Sequence, residues 1–589
     1  MFHCARRPRV LFFVFLLNLS AYSQQAPASA PATPDADKQL PARQSAMNML
    51  EEVLAGTSTL ALPQNRLAIE LQAFPIIAAR SQSRARGLIN QMVAEFSQAA
   101  SQSDQNRELS IPRLRQERTL MTNALAQTDA EMALQFLTAT LPYVESTSPK
   151  DEGPDDSDLL LALAAQIASH SPRRALQMAE QQLQNGGEFS APLIPLLEEV
   201  ERGDAQSGAQ LFHELVQHVR QADLSGQEQN LSFAASLLAS QFRRQSENGG
   251  TPDDALRSLA EAVVTAASNP QFGSPLNALS DAWSALNSIV PAKAVALQQK
   301  VAATAPQVSH QQKFWQEFND AESSGDDDKI LRLIEQAPAD DRTTVAERAI
   351  WRFANSGDLE RTRQIAANLN PWQADNAIQQ ALHRAATAAC EKGNFAAARQ
   401  FAAQVTDEDD RATLLSQLAL QVNVAGKPRI AEEMLGEATS LLANHPPGSS
   451  VFVAQLAVAQ AYLHVNAPQA IPLLERSAGQ LVQVLAAAAQ LDGFLPDQHS
   501  FEGSELVLKR GFLYQSLIQP YAVATADLAT IDLATARTLA DRLPLPEARL
   551  MAELFVARGV LDEKEQVQTA KSQAPISRDL VWSDTVILH

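Results

Sequence analysis

Four places in this sequence carry side chains whose types and spacing could do chemistry. His213 and His218 bracket Glu214 in the manner of a metal-chelating helix. Five positions turn a helix by about 500°, which leaves the two imidazoles about 140° apart, whereas a four-residue spacing would put them on one face. They are expected to lie on the surface or in a groove and to hold no metal. The run Asp151-Glu152-Gly153-Pro154-Asp155-Asp156-Ser157-Asp158 offers oxygen ligands for calcium. It has neither the central glycine nor the terminal glutamate of a twelve-residue calcium loop, so it reads as a solvated linker. Asp326-Asp327-Asp328 reads in the same way, as charge that favours the N-terminus of a helix beginning near Lys329. Cys390 with His383 could form a thiolate pair, but seven residues of helix separate them by about 10 Å, and a packed or idle thiol is expected. No phosphate-cradling glycine loop, nucleophile elbow or dinucleotide fingerprint is present, and no cofactor is implied.

These side chains must sit on helices. The chain has 589 residues, too many for one core, and carries about a hundred alanines beside 22 glycines. Alanine loses no side-chain entropy in a helix, while strands prefer β-branched and aromatic residues, and the aromatics make up only 5% of this composition. An all-α protein is expected, and no run of alternating strand residues is convincing. Turn-rich breaks recur at 148–158, 185–190, 247–252, 323–328, 445–450 and 492–503, and most segments between them hold one or two helices. Pro172, Pro291, Pro428 and Pro468 stand just ahead of apolar segments, where a missing N–H costs nothing, and so mark helix starts.

The N-terminus reads as an export signal. Arg6, Arg7 and Arg9 precede the apolar run Val10–Leu19, which is too short to span a bilayer, and Ser23–Gln24 is the expected cleavage point. Pro8 after the arginine pair favours general secretion over twin-arginine export, and Cys4 stands on the wrong side of the run for lipid attachment. Residues 24–42, with Pro27, Pro31, Pro34 and Pro41, read as an extended tether. Beyond the signal no stretch reads as transmembrane, and a periplasmic or extracellular location is expected. Removing residues 1–23, with three arginines and no acids, takes the net charge from -20 to -23. That field repels phosphates, so nucleic acid is excluded as an expected partner. Only Cys390 would remain, and no internal disulfide could form.

Internal repetition organises the rest. Nine-residue segments beginning at Asp358, Asn394 and Asp532 superpose without gaps, and each is followed by an aliphatic residue, Leu369, Val405 or Leu543. Their phase corresponds to a repeat of about 34 residues, the length of two helices and two turns. Asp340-Asp341-Arg342 and Asp409-Asp410-Arg411 recur similarly and are expected to open the preceding helices. The pattern resembles the tetratricopeptide repeat: a glycine ends the first helix, a large apolar residue follows two later and a small residue five later. Gly393, Phe395 and Ala398 fit. Gly357, Leu359 and Thr362 fit with a hydroxyl in the small position, and Gly426 and Ala431 fit with Pro428 between them. The resemblance is clearest over 325–480 and 529–560, without the family's early tryptophan.

The expected fold is therefore an all-α solenoid of stacked antiparallel helical hairpins. It divides into an N-terminal helical region 43–147, an acidic linker 148–158, a hairpin region 159–322, a tetratricopeptide-like solenoid 323–570 and a tail 571–589. The resemblance implies a partner-binding concave face made of first helices. Carried over from the glycine anchors, it comprises Thr344, Glu347 and Trp351, then Gln380, His383 and Thr387, then Thr413, Ser416, Leu420 and Asn423. The lysine and asparagine set that captures a peptide carboxylate in some family members is missing there. Trp351 stands out, since a grooved aromatic anchors a partner at little entropy cost, although packing between hairpins would use it equally. The expected function is an exported scaffold for a protein or peptide, without catalysis. A helical enzyme acting on an envelope or extracellular polymer through cleft carboxylates is the second reading, and a purely structural component the third.

Overall fold

A computed structural model of the chain describes residues 36–562, apart from 104–110, 145–155, 185–188, 248–249, 270, 272–277, 305–309, 339–340, 444, 493–499 and 509–510. The expected signal, its cleavage point, most of the tether and acidic linker, and the tail 571–589 lie outside these residues.

Helices account for nearly all of the described chain, and they pack as antiparallel pairs whose successive members stack side by side. The protein is an α-solenoid. Its repeated turn explains why. Gly325, Gly357, Gly393 and Gly426 adopt φ of 72 to 76°, a left-handed conformation that costs glycine nothing. After each, a backbone N–H reaches back five residues to close the helix end: Asp326 to Ala321 O, Asp358 to Phe353 O, Asn394 to Ala389 O and Lys427 to Val422 O, at 2.9 to 3.1 Å. In three of the four turns the next side chain then caps the following helix. Asp326, Asp358 and Asn394 accept from Lys329, Arg361 and Ala397 N–H at 3.0 to 3.1 Å. A glycine followed by Asp or Asn thus ends one helix and starts another within two residues.

The three phased segments occupy one setting. They form the second helices Leu359–Ala366, Phe395–Ala402 and Leu533–Asp541, with Thr362, Ala398 and Ala536 buried at the small position. Pro172, Pro291 and Pro428 each begin a helix, and Pro468 is the second residue of another. Some local expectations differ. The helix Ala36–Gly56 begins inside the expected tether and carries Pro41. Asp407, not Asp409, caps the Glu408–Val424 helix, and Asp409 falls in its first turn. A two-stranded antiparallel ribbon, Phe501–Glu502 against Glu505–Leu506, was not foreseen; each strand has two residues and shows no periodicity.

Apolar side chains divide into three cores. One spans residues 161–297, another 318–381, and the largest joins 46–167 to 382–561. Stacking therefore does not stop at the first described helix, because Ala36–Gly56 packs against Pro546–Asp562. The ribbon fastens this junction. Leu62, the residue before the Pro63–Ala78 helix, has no side chain to cap it, and Pro63 has no N–H. The Glu505 carboxylate supplies the cap from across the junction, accepting from the backbone N–H groups of Ala61 and Leu62 and from Asn65. The Asn65 amide also donates to Leu506 O at 2.8 Å, and its oxygen accepts from Leu508 N–H at 2.7 Å. Arg537 pairs with Glu52 at 2.7 Å on the outside.

Beside this junction Glu70 is wholly buried, with Oε1 accepting from Gln91 at 2.6 Å. Burial, reinforced by Glu95, pushes its carboxyl up to about 8.

Two outcomes follow from the junction. Asn65→Ala leaves buried backbone groups of Leu506 and Leu508 unpaired and is expected to cost about 2 kcal/mol in denaturant unfolding, against under about 0.5 kcal/mol for exposed Gln44→Ala. Below the ordinary value of 4.5, Glu70 is protonated whether the chain is folded or not. Between there and about 8 it ionises only in the unfolded chain, so folding loses stability as pH rises. Glu70→Gln should therefore gain thermal stability over wild type from pH 5 to pH 8; parallel melting curves across that range would refute this.

Candidate partner-binding face

First helices carry the expected site, and three of them stack in succession: Arg342–Ser356, Pro371–Glu391 and Glu408–Val424. On the first, Thr344 is exposed, Glu347 half-buried and Trp351 43% exposed. The indole therefore opens to solvent and is not spent between hairpins. Its arginine neighbours are engaged on the other flank, Arg348 with Glu322 at 2.5 Å and Arg352 with Asp327 at 2.9 Å. Two side-chain bonds tie this helix to the next. Gln373 donates to Glu347 at 2.6 Å, and Gln380 donates to Asn355 Oδ1 at 3.5 Å. Trp351 stands between Glu347 and Asn355, one helical turn from each.

His383 and Thr387 continue the second helix, with the Thr387 hydroxyl donating to His383 O at 2.9 Å. Burial pushes the His383 imidazole down to about 4, so it is neutral at physiological pH.

The third helix is different. Thr413 and Ser416 are 6% and 2% exposed, with hydroxyls turned onto Asp409 O at 3.0 Å and Thr413 O at 2.7 Å. The structure therefore takes these two out of the surface set. The reason is that Glu408–Val424 is covered by Pro428–Ala443 on one side and Ser449–Val465 on another, and has buried residues around most of its circumference. Leu420 packs on the largest core, and the Asn423 amide donates to His464 O at 3.0 Å, stitching this helix to the following first helix.

Sequence reasoning missed Trp372, 65% exposed near the start of the second helix. The signal was present: Asn370 caps this helix, accepting from Gln373 N–H at 2.9 Å, and Pro371 opens it. Counting back from Gly393 alone did not reach that first turn.

The other chemical candidates have structural settings. His213 is exposed, while His218 Nδ1 donates to Glu214 O at 3.0 Å within its helix. Among the described residues no cluster of His, Cys, Asp and Glu is arranged to hold a metal. Asp326 is a helix cap, and Asp327 and Asp328 pair with Arg361 at 3.3 and 2.8 Å. A cleft of about 610 Å³ beside Gln82, Arg86 and Thr138 includes two carboxylates, both engaged: Asp129 caps a helix and Glu131 pairs with Arg174. Among the described residues no helix is long and apolar enough to cross a membrane.

The fold and its face define a helical repeat protein. No protein-family model matches the chain, and no curated protein matches it in sequence. Among solved structures, the chain aligns with a Naa15/Naa10 complex bound to HypK-THB at 10% identity and a TM-score of 0.22, covering 91% of this chain and 80% of that one. It also aligns with a circular tandem repeat protein of novel repeat topology at 13% identity and a TM-score of 0.13, covering 90% and 99%. These scores carry no structural argument, and the assignment stands on the helix pairs themselves.

Cys390 is 5% exposed, with its thiol 3.9 Å from Leu418 O, and burial pushes it up to about 11. At pH 8 it is expected to resist a thiol-specific disulfide reagent until denaturant is added. Labelling of Cys390 itself in the folded protein would contradict this.

Proposed function

We propose that the chain is an exported, tetratricopeptide-like scaffold that holds a protein or peptide partner along its first-helix face. The observation that carries this reading is Trp351, an indole held open to solvent on a face whose polar neighbours already bond across from one repeat to the next. A large exposed aromatic on a preordered surface offers binding energy with little ordering cost. Successive first helices extend that surface, so a partner could be gripped at several points along an extended segment. Left-handed glycine turns at 325, 357, 393 and 426, each followed by a second helix, support the tetratricopeptide-like assignment. The basic and apolar N-terminal residues support export.

Photo-crosslinking tests the reading. A benzophenone side chain placed at 351 in the full chain, expressed in the exporting cell, should trap a discrete protein adduct. The same group at Arg363, exposed on a second helix, should not. Equal labelling from both positions, or none from 351, would overturn the assignment of this face.

A further inference from the structure

The first-helix face carries two aromatic and acidic pairs side by side. Glu347 and Trp351 are four residues apart on Arg342–Ser356, and Trp372 and Asp375 are three apart on Pro371–Glu391. Those spacings put the members of each pair on one helical face, within a turn of each other. The Gln373 amide, next to Trp372, bonds to Glu347 at 2.6 Å and so holds the two pairs in register. Both indoles are open, at 43% and 65% exposure, and Asp375 is exposed beside them.

The local charge is one-sided. Among the described residues neither Glu347 nor Asp375 has a cationic partner, whereas the nearby Arg348 and Arg352 are already paired with Glu322 and Asp327. His383, further along the second helix, is neutral at physiological pH because burial holds it near 4. The net charge of -20 adds an attractive long-range field for cations. An indole face beside a carboxylate suits a guanidinium or ammonium group. The ring quadrupole attracts the cation, and the carboxylate accepts its N–H donors.

We infer that this seam is a receptor for a basic peptide segment, with one Arg or Lys seated on Trp351 and Glu347 and a second on Trp372 and Asp375. Packed helices stand about 8–10 Å apart, and a segment in the polyproline II conformation advances about 3.1 Å per residue with every third side chain on one face, so the two basic residues are three positions apart. This deepens the scaffold reading and rests on it, naming the chemistry of the segment held.

The test uses the full chain and three capped synthetic hexapeptides: one with arginines at positions 2 and 5 among serine and alanine, one with glutamates there, and one with leucines. Binding is read by tryptophan fluorescence and calorimetry. The arginine peptide should bind, with affinity falling as salt rises, and the glutamate peptide should not. Trp351→Leu, Trp372→Leu and Glu347→Gln should each weaken the arginine peptide about three- to tenfold, and exposed Glu360→Gln should leave it unchanged. Unaltered circular dichroism and melting temperature would show that the variants fold. Equal binding of arginine and leucine peptides, or indifference to all three seam variants, would overturn the inference. Photo-crosslinking from 351 succeeding beside such a result would leave the scaffold reading standing. Crosslinking that fails while the arginine peptide binds would separate the two in the other direction.

Discussion

A unit of two helices cannot hide both of its apolar faces, and every level of this structure answers that constraint. Within each core, hairpins pack on their neighbours, and the alanines at buried positions let the backbones come close enough for this to work. Ala398, Ala402, Ala431 and Ala438 have no exposed surface. The same requirement acts on the first described helix, which would have no earlier neighbour. Ala36–Gly56 meets it by packing on Pro546–Asp562, the last described helix. Residues far apart in sequence thereby complete one core, and the Glu505 carboxylate caps a helix more than 400 positions away.

The turn between paired helices is the local device on which this stacking rests. At 325, 357 and 393 a left-handed glycine ends one helix and an Asp or Asn caps the next. Arg342–Ser356 and Pro371–Glu391 pack alongside each other. Glu347 can then meet Gln373, and Asn355 can meet Gln380. The exposed tryptophans are by-products of no packing need; the core beneath is already filled by Phe318, Phe353 and Ile350.

Buried acids are distributed along the same packing surfaces. Glu70, Glu547 and Asp527 all have carboxyls raised by burial, and each accepts a hydrogen bond, from Gln91, Leu506 N–H and Gln460. Glu70 and Asp527 link one helix to another, and Glu547 links its helix to the ribbon. A chain this acidic can place carboxyls inside only where such donors await them.

The repeat, its glycine turns and its second helices were legible because each is local. A glycine, a capping Asp or Asn and a small residue at fixed offsets determine the turns at 358 and 394, and the segment at 532 keeps the cap and the small residue with Ile531 in place of the glycine. Other features belong to contacts between distant segments. Thr413 and Ser416 fell inside because two neighbouring helices cover theirs, which no offset from a glycine records. The junction through Asn65, Glu505 and Glu547, and the pairing of two tryptophans across adjacent helices, depend on the angle and rise accumulated over many units. Small differences in unit length add along a stack, and only the folded chain carries their sum.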